Sequence, residues 1–155
     1  MTEVNKETIN KYLVFEVDET YAVELKGVVE ILEMQPVTSV PETPSYIKGV
    51  INLRGRVVPV VDVRDRFKKA AIDESSRKCI IIVNFEGIIL GLIVDSVVDL
   101  ITIEPDKISE PPTVGGSYAH IFIKAIGIYE EEMKLIIDEN KIINHSDLDF
   151  LNAEE

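Results

Sequence analysis

Leu25, Val28, Val29, Glu30 and Ile31 recur later in the chain as Val94, Val97, Val98, Asp99 and Leu100, always 69 positions on. Ile47-Lys48, Val60-Val61 and Asp62 recur in the same order as Ile123-Lys124, Ile136-Ile137 and Asp138, now 76 positions on. Two such units within 155 residues are each too small to bury a stable core alone, so they must pack on one another. The expected arrangement is a pair about an approximate two-fold axis. A groove between the lobes is then the natural place for a partner to dock.

The hydropathy pattern says what each unit contains. Short apolar runs bounded by turn residues read as strands. Runs 12–17 and 21–25 flank Asp18-Glu19-Thr20, and 28–34 ends near Pro36. Runs 50–53 and 57–61 flank Arg54-Gly55-Arg56, a hairpin whose turn needs positive φ at Gly55. Runs 79–83 and 88–94 turn about Asn84 to Gly87, and 97–103 and 133–137 complete the set. Pro59 has no N–H to donate, which predicts an edge strand or a bulge there. Helical signals are short. Thr43-Pro44 followed by Gly49 predicts a two-turn helix capped by Gly49. Asp62 with Asp65 opens 63–69, and Ser146 with Asp149 precedes 148–151. The polar stretch 70–78 reads as the loop between halves.

Composition then removes whole classes of function. A net charge of −12 and a pI near 4.6 repel nucleic acids and anionic lipid surfaces alike. A lone Cys79 allows no internal disulfide and fits a reducing compartment. Residues 1–12 lack the apolar core of a signal peptide. The longest apolar stretch, 87–94, falls far below the roughly 20 residues that span a bilayer. A cytoplasmic protein without direct membrane insertion is expected.

Groups that could carry chemistry are few. Asp62, Asp95 and Asp138 each follow an apolar run, the pattern of a small acid/base hydrolase with paired carboxylates. The competing explanation is that Asp62 and Asp138 cap helices while Asp95 occupies a turn. Caps need no substrate. His120 and His145 are too far apart in sequence for a local metal motif, and one cysteine does not complete a zinc set. Cys79 opens an apolar run and reads as packing. Gly115-Gly116 lacks the strand–loop–helix context of a phosphate loop. No catalytic residue, cofactor or metal is expected, and the chain reads as a non-enzyme.

From Pro41 to Phe67 the sequence is PETPSYIKGVINLRGRVVPVVDVRDRF. It resembles the signature of the CheW-like coupling proteins of bacterial chemotaxis. YLVFEVDETYAVELKGVVEI before it, GLIVDSVVDLI after it, Pro111-Pro112 and MKLIIDENKII extend the resemblance over about 12–143. The resemblance implies an all-β fold of two SH3-like five-stranded barrel subdomains related by duplication, with a few short helices. It implies one domain over 12–145, with lobes of about 12–69 and 79–143 and terminal segments 1–11 and 146–155. It implies an adaptor that couples the cytoplasmic tip of a methyl-accepting chemoreceptor to the regulatory domain of the chemotaxis histidine kinase, recruited to receptor arrays. Leu13, Leu25, Val28, Ile31 and Val97 match family positions lining the receptor groove, each competing with plain core packing. Arg54 matches a receptor-facing position and pairs in the family with the acid at Glu30. Gly49 matches a position linked to coupling. Where the family has a short glycine-containing turn, this chain reads Gly127-Ile128-Tyr129-Glu130-Glu131-Glu132, which alters that surface.

Overall fold

The apolar runs lie in strands of two layered sheets, whose interior strands are covered on both faces while β3 and β8 keep an exposed face. The computed structural model describes residues 8–70, 78–111 and 121–151. The first half of the chain gives β1 (Lys11–Val17), β2 (Glu19–Glu24), β3 (Val28–Glu33), β4 (Ile47–Leu53), β5 (Arg56–Asp62) and the one-turn helix α1 (Val63–Arg66). The second half gives β6 (Cys79–Phe85), β7 (Ile88–Val94), β8 (Ser96–Thr102), β9 (Ile108–Ser109), β10 (Ile123–Tyr129), β11 (Glu132–Ile137) and α2 (Glu139–Ile142). One sheet is ordered β8-β1-β2-β11-β10-β9 and the other β3-β6-β7-β5-β4. The all-β class and the paired SH3-like sheets expected from the sequence are present. The sheets are open rather than fully closed barrels, and the two-residue β9 gives the first a sixth strand.

The repeat extends to the pairing register. A bulge between Ile47 and Gly49 against β5 recurs between Ile123 and Ala125 against β11. The parallel pair Val60–Gly91 is matched by Ile136–Ala22. The Asp62 N–H donates to the Tyr46 carbonyl at 2.8 Å, and the Asp138 N–H to the Phe122 carbonyl at 2.6 Å. The hairpins, however, are traded between the repeats. β1–β2 lies between β8 and β11 of the second repeat, while β6–β7 lies between β3 and β5 of the first. Each sheet therefore draws strands from both 12–69 and 79–143, and the repeat units and the sheets divide the chain differently.

The core explains why this holds. Among the described residues, twenty buried side chains form one cluster between the sheets, against six within each sheet's own far side. Leu13, Phe15 and Val17 of β1 point into the shared layer, while the alternate residues Tyr12 and Val14 point the other way. Phe15, Tyr21, Phe67 and Phe122 follow one another through that layer with ring centroids 5.8, 5.1 and 5.0 Å apart. Fully burying an aliphatic or aromatic side chain contributes about 1.5–3 kcal/mol. The larger share of burial therefore belongs to the contact between sheets, and neither sheet has a sufficient core of its own.

Arg64 fastens one traded hairpin. Its side chain is almost wholly buried. The guanidinium donates to Asp18 in the β1–β2 turn at 2.6 and 3.1 Å, to Asp95 in the β7–β8 turn at 2.5 Å, and to the Ala70 carbonyl at 2.8 Å. One planar fork thus joins α1 to turns on both sheets, a role a lysine point charge cannot fill.

Three local expectations need correction. Pro59 lies in β5, an interior strand rather than an edge, while a bulge does fall beside it in the β4–β5 ladder, between Ile47 and Gly49. The proline is tolerated because its partner Val50 spends both backbone groups on Thr38, and pairing with β7 starts only at Val60. Residues 43–49 form no helix. They turn at Pro44, whose carbonyl accepts from the Ile47 N–H, and enter β4 directly, so Gly49 is no helix cap. The terminal helical turn spans His145–Leu151 as a 3-10 helix, beginning ahead of Ser146. The 70–78 loop falls almost entirely outside the described residues.

The Arg64 hydrogen bonds hold the Asp18 carboxyl below its ordinary range. A carboxylate with a depressed folded value stabilises the fold above its unfolded value, and that contribution is lost as pH falls through the folded value. Asp18→Asn should therefore lower the melting temperature at pH 7 and flatten the loss of stability below about pH 4, where free carboxyls protonate. Thermal melts from pH 7 to pH 2.5 check this; an unchanged acid limb in the variant would contradict it.

Candidate functional site

β3 and β4 are the two edges of the second sheet, and the gap between them is bridged by the segment that follows β3 and by the tip of the β4–β5 hairpin. Thr38, just past β3, exchanges two backbone hydrogen bonds of 2.9 Å with Val50 of β4. Gly49 permits this approach. Its φ is 151°, and a Cβ there would stand 2.0 Å from the Thr38 carbonyl oxygen and 2.9 Å from a Val37 methyl. Further along the same seam, Arg54 at the tip of the β4–β5 hairpin forms an ion pair with Glu30 of β3. Arg54 has positive φ (52°) and Gly55 follows at 84°, the tight turn that aims the guanidinium across the gap. Three residues singled out from the sequence, Glu30, Gly49 and Arg54, thus close one seam together.

The apolar candidates are spread more widely. Leu13 is buried in the layer between the sheets and presents no surface. Val28 and Val97, counterparts in the repeat, are half-buried against that layer. Leu25 is half-buried in the 3-10 turn Leu25–Gly27. Ile31 is 46% exposed, on the face of β3 opposite Glu30. Beside it stands Val29, and on β8 the repeat places Val98 and Leu100, all about half exposed. In the sequence, Val29, Val98 and Leu100 stand out only as members of the repeat. Their signal was the clash of an apolar residue with an edge strand's outward face.

The matching seam of the first sheet is built differently. The counterparts of Glu30 and Arg54 are Asp99 and Glu130, two acids that cannot attract. Both push the Tyr129 hydroxyl above the ordinary phenol range, Glu130 most strongly, with burial adding to it. The turn there places Glu130 and Glu131 at φ 51° and 68°, and β9 pairs along β10. The acidic departure noted in the sequence therefore removes the charge pair from one lobe only.

The carboxylates considered for acid/base chemistry are engaged elsewhere. Asp62 accepts from the backbone N–H groups of Arg64 and Asp65, and Asp138 from that of Asn140. Both are helix N-caps, and Asp95 belongs to the Arg64 clamp. Cys79 is half-buried, and burial pushes its thiol up, away from thiolate chemistry. No cluster of His, Cys, Asp or Glu suited to a metal exists among the described residues. No helix there is long and apolar enough to cross a membrane. His120 and Gly115-Gly116 lie outside the described residues.

A family model described as a CheW-like domain matches residues 11–147. A chemotaxis protein CheW from Bacillus subtilis is 35% identical over 138 residues, covering 88% of each chain. One from Klebsiella aerogenes is 29% identical, over 92% of this chain and 87% of its own. The crystal structure of the scaffolding protein TtCheW from Thermoanaerobacter tengcongensis superposes with a TM-score of 0.79 at 35% identity, covering 86% of this chain and 91% of that one.

Gly49→Ala should cost at least about 2 kcal/mol, since the added methyl must part Thr38 from β4. Arg54→Ala, which removes an exposed ion pair, should cost less than about 1 kcal/mol. Urea unfolding of both variants checks the contrast; equal losses would show that the seam is not held at Gly49.

Proposed function

The chain belongs to the CheW-like family, and on that premise we propose that it couples the cytoplasmic tip of a chemoreceptor to the regulatory domain of the chemotaxis histidine kinase. It is an adaptor of chemotaxis signalling. It acts in the cytoplasm, recruited to receptor arrays, and performs no chemistry of its own. The observation that carries this proposal is a rigid two-sheet body whose edge strands leave aliphatic side chains in water beside a charged seam. Unpartnered apolar edges are a liability unless something docks on them.

In this account Ile31 supplies an exposed apolar contact for the receptor. Leu25, Val28 and Val97 form the half-buried margin of the docking surface, and Leu13 supports it from beneath. Arg54 reaches a receptor carboxylate while Glu30 orients it, and Gly49 keeps the seam closed. A receptor helix hairpin presents apolar anchors at helical spacing to such a surface. Each buried branched side chain contributes about 1.5–3 kcal/mol, which gives a reversible contact that strengthens when many act together in an array.

Pull-downs with a receptor cytoplasmic fragment and with the kinase regulatory domain test the proposal. Ile31→Glu and Arg54→Ala should each weaken receptor capture by about tenfold or more, the equivalent of one lost anchor. Both should retain the wild-type fold by circular dichroism. Undiminished receptor capture by both folded variants would rule out this surface.

A further inference from the structure

The Arg64 clamp has a counterpart position in the repeat, and that position is open. The repeat maps Arg64 onto Asn140 and Asp95 onto Lys26, and it sets the β1–β2 turn that holds Asp18 against the β6–β7 turn that holds Glu86 and Gly87. Asp18 and Glu86 share the same unusual backbone, with φ of 67° and 53°. On the clamp side the guanidinium fills the space between turns. On the other side Asn140 is too short to do so, and a cleft of about 410 Å³ opens between the two sheets.

The charges of this cleft are unbalanced. Carboxylates of Glu24, Glu86 and Glu139 line it with the ammonium groups of Lys26 and Lys124. Lys124 pairs with Glu24 at 3.1 Å and Glu139 at 3.3 Å, and Lys26 with Glu24 at 3.7 Å. Glu86 has no ion pair among the described residues and faces the cleft from the turn that, in the other repeat, grips Arg64. The Asn84 side-chain carbonyl, beside it in the lining, holds the turn through the Gly87 N–H at 2.9 Å. Lys26 reverses the sign of Asp95. Glu24 and Glu139 restore it from positions whose counterparts, Ile93 and Val63, are apolar.

We propose that this cleft is a binding site for the guanidinium of an arginine carried by a partner protein, which takes the place that Arg64 fills internally on the other side. The planar fork suits carboxylates on separate elements better than an ammonium does. The volume admits a whole arginine side chain with adjoining backbone. A peptide-borne arginine carries no free carboxylate to be repelled by Glu24 and Glu86. This inference rests on the repeat and the cleft, and stands whether or not the receptor surface is correctly assigned.

The test uses the full chain and three probes at equal ionic strength: acetyl-Gly-Arg-Gly-amide, acetyl-Gly-Lys-Gly-amide and free L-arginine. The arginine peptide should saturably shift the backbone amide resonances of Asn84, Glu86 and Asn140. The lysine peptide and free arginine should each bind about tenfold more weakly, for want of the fork or because of the added carboxylate. Glu86→Gln should reduce the arginine-peptide response severalfold. Asn140→Arg should raise the melting temperature and abolish the response, because the cleft is then plugged from within. Equal binding of the two peptides, or of free arginine and the arginine peptide, would overturn the proposal. So would an Asn140→Arg variant with unchanged binding.

Discussion

Burial of apolar surface has no direction, so the layer between the sheets could be satisfied by many strand arrangements. The trade of hairpins selects one. β1–β2 cannot leave the first sheet without unpairing from β8 and β11 of the other repeat, and β6–β7 is held likewise by β3 and β5. Because Leu13, Phe15 and Val17 of a traded hairpin also supply the shared layer, ladder and core fail or hold together. Every surface described above is positioned by that coupling.

A symmetric frame has then been given unlike faces. One seam is bridged by Glu30 and Arg54, while its counterpart carries Asp99 and Glu130. One inter-turn space is plugged by Arg64, while its counterpart is left open at Asn140. Under the proposed coupling role, a duplicated adaptor needs this divergence to hold two different proteins, since identical lobes would bind one partner twice. The frame supplies rigidity, and a few substitutions at equivalent positions supply distinction.

Much of this was legible in the sequence, for reasons that can be named. The offsets of 69 and 76 located strand pairs because register is inherited with the side chains that point inward. Asp62 and Asp138 read correctly as caps because a carboxylate before a short apolar turn has a local partner in the backbone. The trade of hairpins was hidden, since two copies of one pattern do not say which copy pairs with which. Gly49 misled because a glycine after Thr43-Pro44 has the form of a helix stop, whereas its actual constraint is Thr38, a neighbour on another edge. Leu13 and Ile31 look alike in the sequence, although one faces the core and the other water. Strand alternation alone cannot tell those faces apart when both faces of a strand are apolar.

Native-state amide exchange in rising urea measures most directly whether the traded hairpins weld the sheets into one body. Val14 in β1 and Ile82 in β6 lie on the far sides of different sheets, each within a two-sided ladder. The two amides should merge onto a single isotherm, with the same free energy and the same urea dependence as global unfolding. If Ile82 keeps its protection after Val14 has exchanged, the sheets open separately and the account of a rigid coupling body fails.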